Sequence, residues 1–237
     1  MNQWQREKKK VQELIDELAK RFTDEFRSLD AGCGSSSYFK LPSNAIMDGI
    51  DISAKQLERN THLNKKVQDD LQTYVHPKDF YTLIVCWDVL EHLPQPQKAV
   101  EQLFAAAKPD GLVVLAMPNI NSFEAQLTKH TPQWFHTFVY RTVFNKKKAG
   151  YDDVGPFKTF LRPETSIDFL AELGRQQGME VLYSSLYTRT NVEKLQRKSK
   201  IAYYGYKGMA RLIQTATQGR IDPHNGSAII AFRKKSC

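Results

Sequence analysis

The stretch from Phe80 to Met117 narrows the possible folds more than any other. Phe80 to Trp87 (Phe-Tyr-Thr-Leu-Ile-Val-Cys-Trp) is a continuous apolar run of strand length, the pattern of a strand covered on both faces, as in a parallel sheet. Val100, Leu103, Phe104 and Ala107 then recur at helical spacing, and Lys108-Pro109-Asp110-Gly111 stops that helix and turns the chain. Gly111 to Met117 is a second apolar strand, and Lys66 to Asp70 reads as a shorter one ending in acids. Strands alternating with helices imply an α/β architecture, a doubly wound sheet. With 237 residues and 41% apolar content, the chain can build one sizeable core with insertions, so residues 1–237 are read as a single domain.

Residues 29–37, Leu-Asp-Ala-Gly-Cys-Gly-Ser-Ser-Ser, put a glycine-bearing turn at the end of a buried-looking strand, with Asp30 at its mouth. Glycine lets backbone approach a ligand closely. Asp51, in Gly49-Ile50-Asp51-Ile52-Ser53, follows Gly34 by 17 positions, near the roughly 20-residue spacing at which an acid grips ribose hydroxyls in nucleotide-binding units. Charge separates the candidate cofactors. A dinucleotide lays its pyrophosphate on such a turn and wants a third glycine where Ser37 stands; Asp30 would repel it. S-adenosylmethionine carries a sulfonium and an ammonium but no phosphate, so a carboxylate there attracts it. Taken alone, the same glycines also suit a tight strand-to-helix connection. Asp30, Asp51, Asp70 and Trp87 all fall at the carboxyl ends of predicted strands, where ligands bind in such sheets.

Five blocks occur in order: Leu-Asp-Ala-Gly-Cys-Gly (29–34), Gly-Ile-Asp-Ile-Ser (49–53), Asp-Asp-Leu (69–71), Cys-Trp-Asp-Val-Leu-Glu-His-Leu (86–93) and Lys-Pro-Asp-Gly (108–111). Together they resemble the class I S-adenosylmethionine-dependent methyltransferases, in particular the group that includes the ubiquinone-pathway O-methyltransferases. The resemblance implies a Rossmann-like seven-stranded sheet whose last strand, Ser227 to Phe232, is antiparallel. It puts Asp30, Gly32, Cys33 and Gly34 around the methionine end of the cofactor, and Asp51, with Ile52 beside it, on the ribose. Asp70 and Leu71 would hold the adenine, and backbone near Cys86 and Trp87 would line the sulfonium portion. Two departures stand out: Ser36 replaces the usual third glycine, and Leu41-Pro42 interrupts the helix expected after the turn. Proline removes a backbone donor, so a short helix or a loop is expected there. Asp88, Glu91 and His92 resemble the acidic-histidine cluster of some quinone O-methyltransferases in which a divalent ion helps. Three ligands so close in sequence do not make a metal site by themselves, and no metal is expected.

The net charge of +8 arises wholly downstream of the cofactor half. Residues 1–140 hold 16 basic and 18 acidic side chains, whereas 141–237 hold 18 and 8. Lys194, Arg197, Lys198, Lys200, Lys207 and Arg211 form an acid-free run interleaved with Ile201, Tyr203, Tyr204, Tyr206 and Met209, a basic, aromatic, helix-like surface. A solvated face covering the sheet edge has the same composition. Gly205 and Gly208 each weaken a helix by about 1 kcal/mol, so part of this one is expected to unwind. Residues 121–162 and 191–222 are read as helical insertions. In the first, Trp134, Phe135, Phe138, Val139 and Val143 form an apolar stripe, with His136, Tyr140 and Phe144 on the adjacent face. Such a stripe suits a lid over an apolar acceptor, contact with a membrane surface, or a helix packed on its own core. Ser166 to Leu173 reads as a helix stopped by Gly178, with Met179 to Tyr187 as an edge strand.

Methyl transfer is an in-line displacement, so the protein chiefly aligns and dehydrates the acceptor. A hydroxyl acceptor also needs a base. His92, after the fourth strand, and His136 and Tyr140, on the lid, are the catalytic candidates, although a histidine serves as readily in a structural hydrogen bond. The leading reading is transfer to an oxygen or nitrogen of a small, lipophilic or aromatic acceptor. The alternative is RNA methylation on the basic surface, against which Met117-Pro118-Asn119 stands where base N-methylation would want Asn-Pro-Pro-Tyr or Asp-Pro-Pro-Tyr. A non-catalytic binding module, suggested only by the missing third glycine, comes third. Cys33, Cys86 and Cys237 lack metal-ligand spacing and are read as reduced thiols. No apolar run approaches membrane-spanning length and the first residues lack an apolar signal region, so a cytoplasmic location is expected.

Overall fold

A computed structural model describes residues 1–132, 134, 141, 157–188, 196 and 199–236. Five strands run parallel: β1 (Phe26–Ala31), β2 (Ala45–Asp51), β3 (Lys65–Gln68), β4 (Tyr81–Trp87) and β5 (Ala107–Pro118). With β6 (Met179–Tyr187) and β7 (Ser227–Lys234) they form one seven-stranded sheet in the order β3-β2-β1-β4-β5-β7-β6. β7 pairs antiparallel with both β5 and β6, as the resemblance implies. The Lys108–Gly111 turn lies inside the first part of β5 as an irregularity: pairing jumps from Tyr81–Ala107 to Leu83–Leu112.

Alternate side chains of the central strands feed two cores. Ile84, Cys86, Val113, Leu115, Ile230 and Phe232 pack on one face with helices α3 (Pro96–Ala106) and α5 (Ile167–Gln176). Leu83, Val85, Leu112, Val114, Ile229 and Ala231 pack on the other with helix α1 (Gln3–Arg21). Asn2 caps α1 by accepting from the Gln5 N–H, while the Gln5 side chain accepts from the Asn2 N–H. Val11, Ile15 and Leu18 of α1 are buried, each contributing roughly 1.5–3 kcal/mol by leaving water.

Residues 32–44 form a loop, as Pro42 predicts, so β2 follows β1 without a crossover helix. Helix α2 (Ala54–Arg59) follows β2, capped by Ser53, and helix α4 (Phe123–His130) follows β5, capped by Ser122. At the opposite edge of the sheet, the Lys234 ammonium donates to the carbonyls of Phe104, Ala105 and Ala107, capping the end of α3.

Helix α6 (Lys200–Ala216) runs unbroken through Gly205 and Gly208, which corrects the expected unwinding. A Cβ at either glycine would meet nothing within 4 Å, so both lie on the open side. The opposite side holds the helix: Ala210 is fully buried, and the Tyr206 hydroxyl donates to the Pro223 carbonyl at 3.1 Å. The chain leaving α6 is fastened to the start of α4, since Asp222 donates its N–H to the Asn121 carbonyl at 2.7 Å and accepts from the Phe123 N–H at 2.9 Å. His136 and Tyr140 lie outside the described residues, as does most of the expected lid. Among the described residues, no helix is long and apolar enough to cross a membrane.

Candidate active site

The glycine turn is tightest at Gly32, where there is no room for a side chain. Gly32 has φ +73°, and a Cβ there would lie 2.3 Å from Cγ2 of Val89. Gly34 has φ +52°; both values are in the left-handed region that favours glycine. The N–H groups of Gly32 and Cys33 donate to the Ile50 carbonyl at 2.8 and 3.1 Å. Fully buried Asn60 donates its side-chain amide to the carbonyls of Cys33 and Gly34. The turn is thus held by β2 and α2 rather than by a helix of its own.

That same hold fixes Asp51. One carboxylate oxygen accepts from the Gly34 N–H at 2.9 Å and the other from the Ser53 N–H at 2.8 Å. Each oxygen keeps acceptor capacity for a hydroxyl in front of it. Asp70 is held in a similar way: its Oδ1 accepts from the Gln72 N–H at 2.9 Å. The side-chain oxygen of Gln72 in turn accepts from the Gln95 N–H at 2.8 Å, so the Asp70 turn is tied to the start of α3.

These groups open onto one cleft of about 740 Å³ at the carboxyl ends of the strands, within the usual size range of small-molecule sites. Of the residues singled out from sequence, Gly32, Cys33, Gly34, Asp51 and Ile52 line it, together with Asp70, Leu71, Trp87 and His92. Asp30 and Cys86 do not. Asp30 sits in a smaller recess behind Tyr38, where Ser37 donates its hydroxyl to the carboxylate at 2.8 Å. Burial pushes the Asp30 carboxyl up to about 6, against the pull of the Ser37 hydrogen bond. Cys86 is fully buried in the core; its thiol is pushed well above the usual range by burial, and that of Cys33 up to about 12 for the same reason. Both stay neutral, so they pack rather than react.

Four wall residues were not legible from motifs. Tyr38 stacks on Trp87 with ring centroids 5.4 Å apart, and Phe157, Lys158 and Phe160 close the outer side. The 157–160 segment is pinned by two hydrogen bonds to the turn after β4: Phe160 N–H to the Glu91 carbonyl at 2.8 Å, and His92 Nδ1 to the Lys158 carbonyl at 2.8 Å. A carbonyl only accepts, so Nδ1 carries the hydrogen and the neutral ring has its lone pair on Nε2. Oε1 of buried Glu91 is 3.9 Å from that nitrogen. Acids dominate the charged lining: Asp51, Asp69, Asp70 and Asp88 against Lys158. A cationic, phosphate-free nucleoside fits this set, with glycines admitting it closely and Asp51 placed for hydroxyls.

A family model described as a methyltransferase domain matches residues 3–149. The chain belongs to that family. It is an S-adenosylmethionine-dependent methyltransferase. It is similar to the ubiquinone biosynthesis O-methyltransferase of Coxiella burnetii (strain RSA 331 / Henzerling II), at 28% identity over 185 residues covering 74% of each chain. The enzyme of the same name from Azoarcus sp. (strain BH72) is 28% identical over 194 residues, 77% of this chain and 76% of that one. Among solved structures, an S-adenosylmethionine-dependent methyltransferase from Mesorhizobium loti shares the fold of this methyltransferase, with a TM-score of 0.53 at 13% identity over 92% of this chain and 96% of the other.

Proposed function

We propose that this methyltransferase methylates a hydroxyl of a small aromatic acceptor, with His92 as the general base. The observation that carries the reading is the hydrogen bond from His92 Nδ1 to the Lys158 carbonyl, on a wall of the cleft. It orients the ring and leaves Nε2 as the basic nitrogen. Glu91, 3.9 Å from Nε2, supplies a negative charge that stabilises the imidazolium formed when Nε2 takes the proton. Tyr38, Trp87 and Phe157 give the cleft flat apolar walls suited to a ring. The names of the Coxiella and Azoarcus relatives support transfer to oxygen.

S-adenosylmethionine, when bound, supplies an electrophilic methyl group on a positively charged sulfur. Gly32 and Gly34 would admit it against the backbone, Asp51 would accept from its ribose hydroxyls, and Asp70 with Leu71 would receive the adenine. Asp30, in the recess behind Tyr38, would lower the potential at the methionine end through its charge. The aromatic walls exclude water from the acceptor oxygen, which raises its reactivity once His92 holds the proton. Buried, unpaired Cys33 and Cys86 support a reducing compartment, the cytoplasm.

His92→Gln tests the assignment. With a panel of small phenols and catechols as acceptors, kcat should fall about 10²- to 10⁴-fold while S-adenosylmethionine affinity stays within twofold of the parent. A variant that keeps its kcat overturns the role of His92, and a parent that methylates none of the panel overturns the acceptor class.

A further inference from the structure

Among the described residues, nothing covers one long side of α6. Ile201, Tyr204, Met209 and Leu212 are 88%, 67%, 46% and 74% exposed. With Gly205 and Gly208 they recur at three- and four-residue intervals, which places them on one side of a helix. Isolated exposed apolar side chains are ordinary, but four along a single helix form a stripe. The stripe is not a packing surface left over by chance, because α6 already has an inward side, made of buried Ala210 and half-buried Tyr206 and Ile213.

The charges beside the stripe select what covers it. Lys200, Lys207 and Arg211 follow one another at helical spacing along one flank, and no acid occurs from Lys194 to Ile221. A second copy of the helix would bring cations against cations. RNA would suit the cations and tyrosines, but the aliphatic tips of Ile201 and Leu212, the two most exposed of the four, offer no face for base stacking. A phospholipid surface accepts both halves: apolar side chains at the headgroup boundary and cations on anionic headgroups.

We propose that α6 docks the protein on a membrane surface rich in anionic phospholipid. The helix is a rigid part of the enzyme rather than a loose anchor, since Tyr206 and the Asp222–Asn121 and Asp222–Phe123 hydrogen bonds tie it to the start of α4, at the carboxyl end of β5. Docking therefore brings the cleft-bearing edge of the sheet near the bilayer. The proposal holds whatever the acceptor is.

The test uses the full chain and vesicles of phosphatidylcholine, alone or mixed with phosphatidylglycerol, in a sedimentation assay. The parent should sediment with mixed vesicles, less so in high salt, and weakly with phosphatidylcholine alone. The double variant Ile201→Ser, Leu212→Ser should lose at least about tenfold in partitioning. A second variant, Lys200→Gln, Lys207→Gln, Arg211→Gln, should lose about fivefold for each cation; its changes touch no buried side chain. Unchanged S-adenosylmethionine affinity shows that each variant is folded. No sedimentation of the parent, or sedimentation that both variants retain, overturns the proposal. So does RNA binding that the variants lose in place of vesicle binding, or a dimer that the serine variant dissolves without lipid.

Discussion

Two buried groups, Asp30 and His76, should titrate against each other in the acid range. Burial, with the negative charge of Asp51 adding to it, pushes the Asp30 carboxyl up from 3.8 to about 6. The native protein then holds a proton that the unfolded chain has released. Stability from this source is complete below 3.8 and is lost as pH rises through about 6, a loss of about 3 kcal/mol. His76 does the reverse. It is 4% exposed, edge-on to Tyr74 with ring centroids 4.7 Å apart, and neither ring nitrogen has a hydrogen-bond partner among the described residues. Burial pushes it down from 6.5 to about 4, so the unfolded chain binds a proton that the native one refuses. Its contribution is complete above 6.5 and is lost as pH falls through about 4, again about 3 kcal/mol. In the parent the two slopes oppose each other, and these groups together leave stability nearly level. Asp30→Asn, which keeps an acceptor for Ser37, should expose the histidine slope: stability falls by about 1.4 kcal/mol for each pH unit of acidification across the window. His76→Phe should expose the carboxylate slope and become less stable as pH rises. Urea unfolding followed by far-ultraviolet circular dichroism across the window measures both. If Asp30→Asn differs from the parent by the same amount at every pH, the raised Asp30 carboxyl is disproved.

Two further outcomes follow from single contacts. Gly32→Ala should cost about 1–3 kcal/mol for the left-handed backbone alone and abolish cofactor binding in calorimetry; adding Val89→Ala, which removes the side chain 2.3 Å from the new Cβ, should restore part of both. Lys234→Met, which uncovers the three carbonyls at the end of α3, should lower stability in urea titration by about 1–2 kcal/mol and leave cofactor affinity unchanged.

Strands β4 and β5 could be read from sequence because their apolar runs, Phe80 to Trp87 and Gly111 to Met117, are local signals bounded by turn residues. The cofactor half of the cleft was readable for the same reason: Gly32, Gly34, Asp51 and Asp70 lie on local turns, and local turns leave local signatures. Helix α1 carries its signal openly in the spacing of Val11, Leu14, Ile15 and Leu18, yet only the fold shows why it matters: it covers the sheet face left bare by the loop at 32–44. The position of Asp30 follows from a different cause. Its strand places it correctly, but the chain after the turn folds Tyr38 across it, a tertiary event with no periodicity to announce it. The wall of Phe157, Lys158 and Phe160 was beyond reach, being joined to His92 across 66 positions by backbone groups, which every residue possesses. The continuity of α6 shows the limit of propensity: packing of Ala210 and Tyr206 outweighs two exposed glycines.

The position of β7 bears on how the protein is made. It lies between β5 and β6, so the sheet cannot be closed when β5 emerges from the ribosome; the whole of 119–226 must be synthesised before its partner exists. Throughout that interval Leu112 to Met117, the most apolar strand after β4, offers an unpaired edge. A nascent chain stalled within this stretch would be a hazard for its neighbours, and any chain cut short before Ser227 would keep that edge open for good.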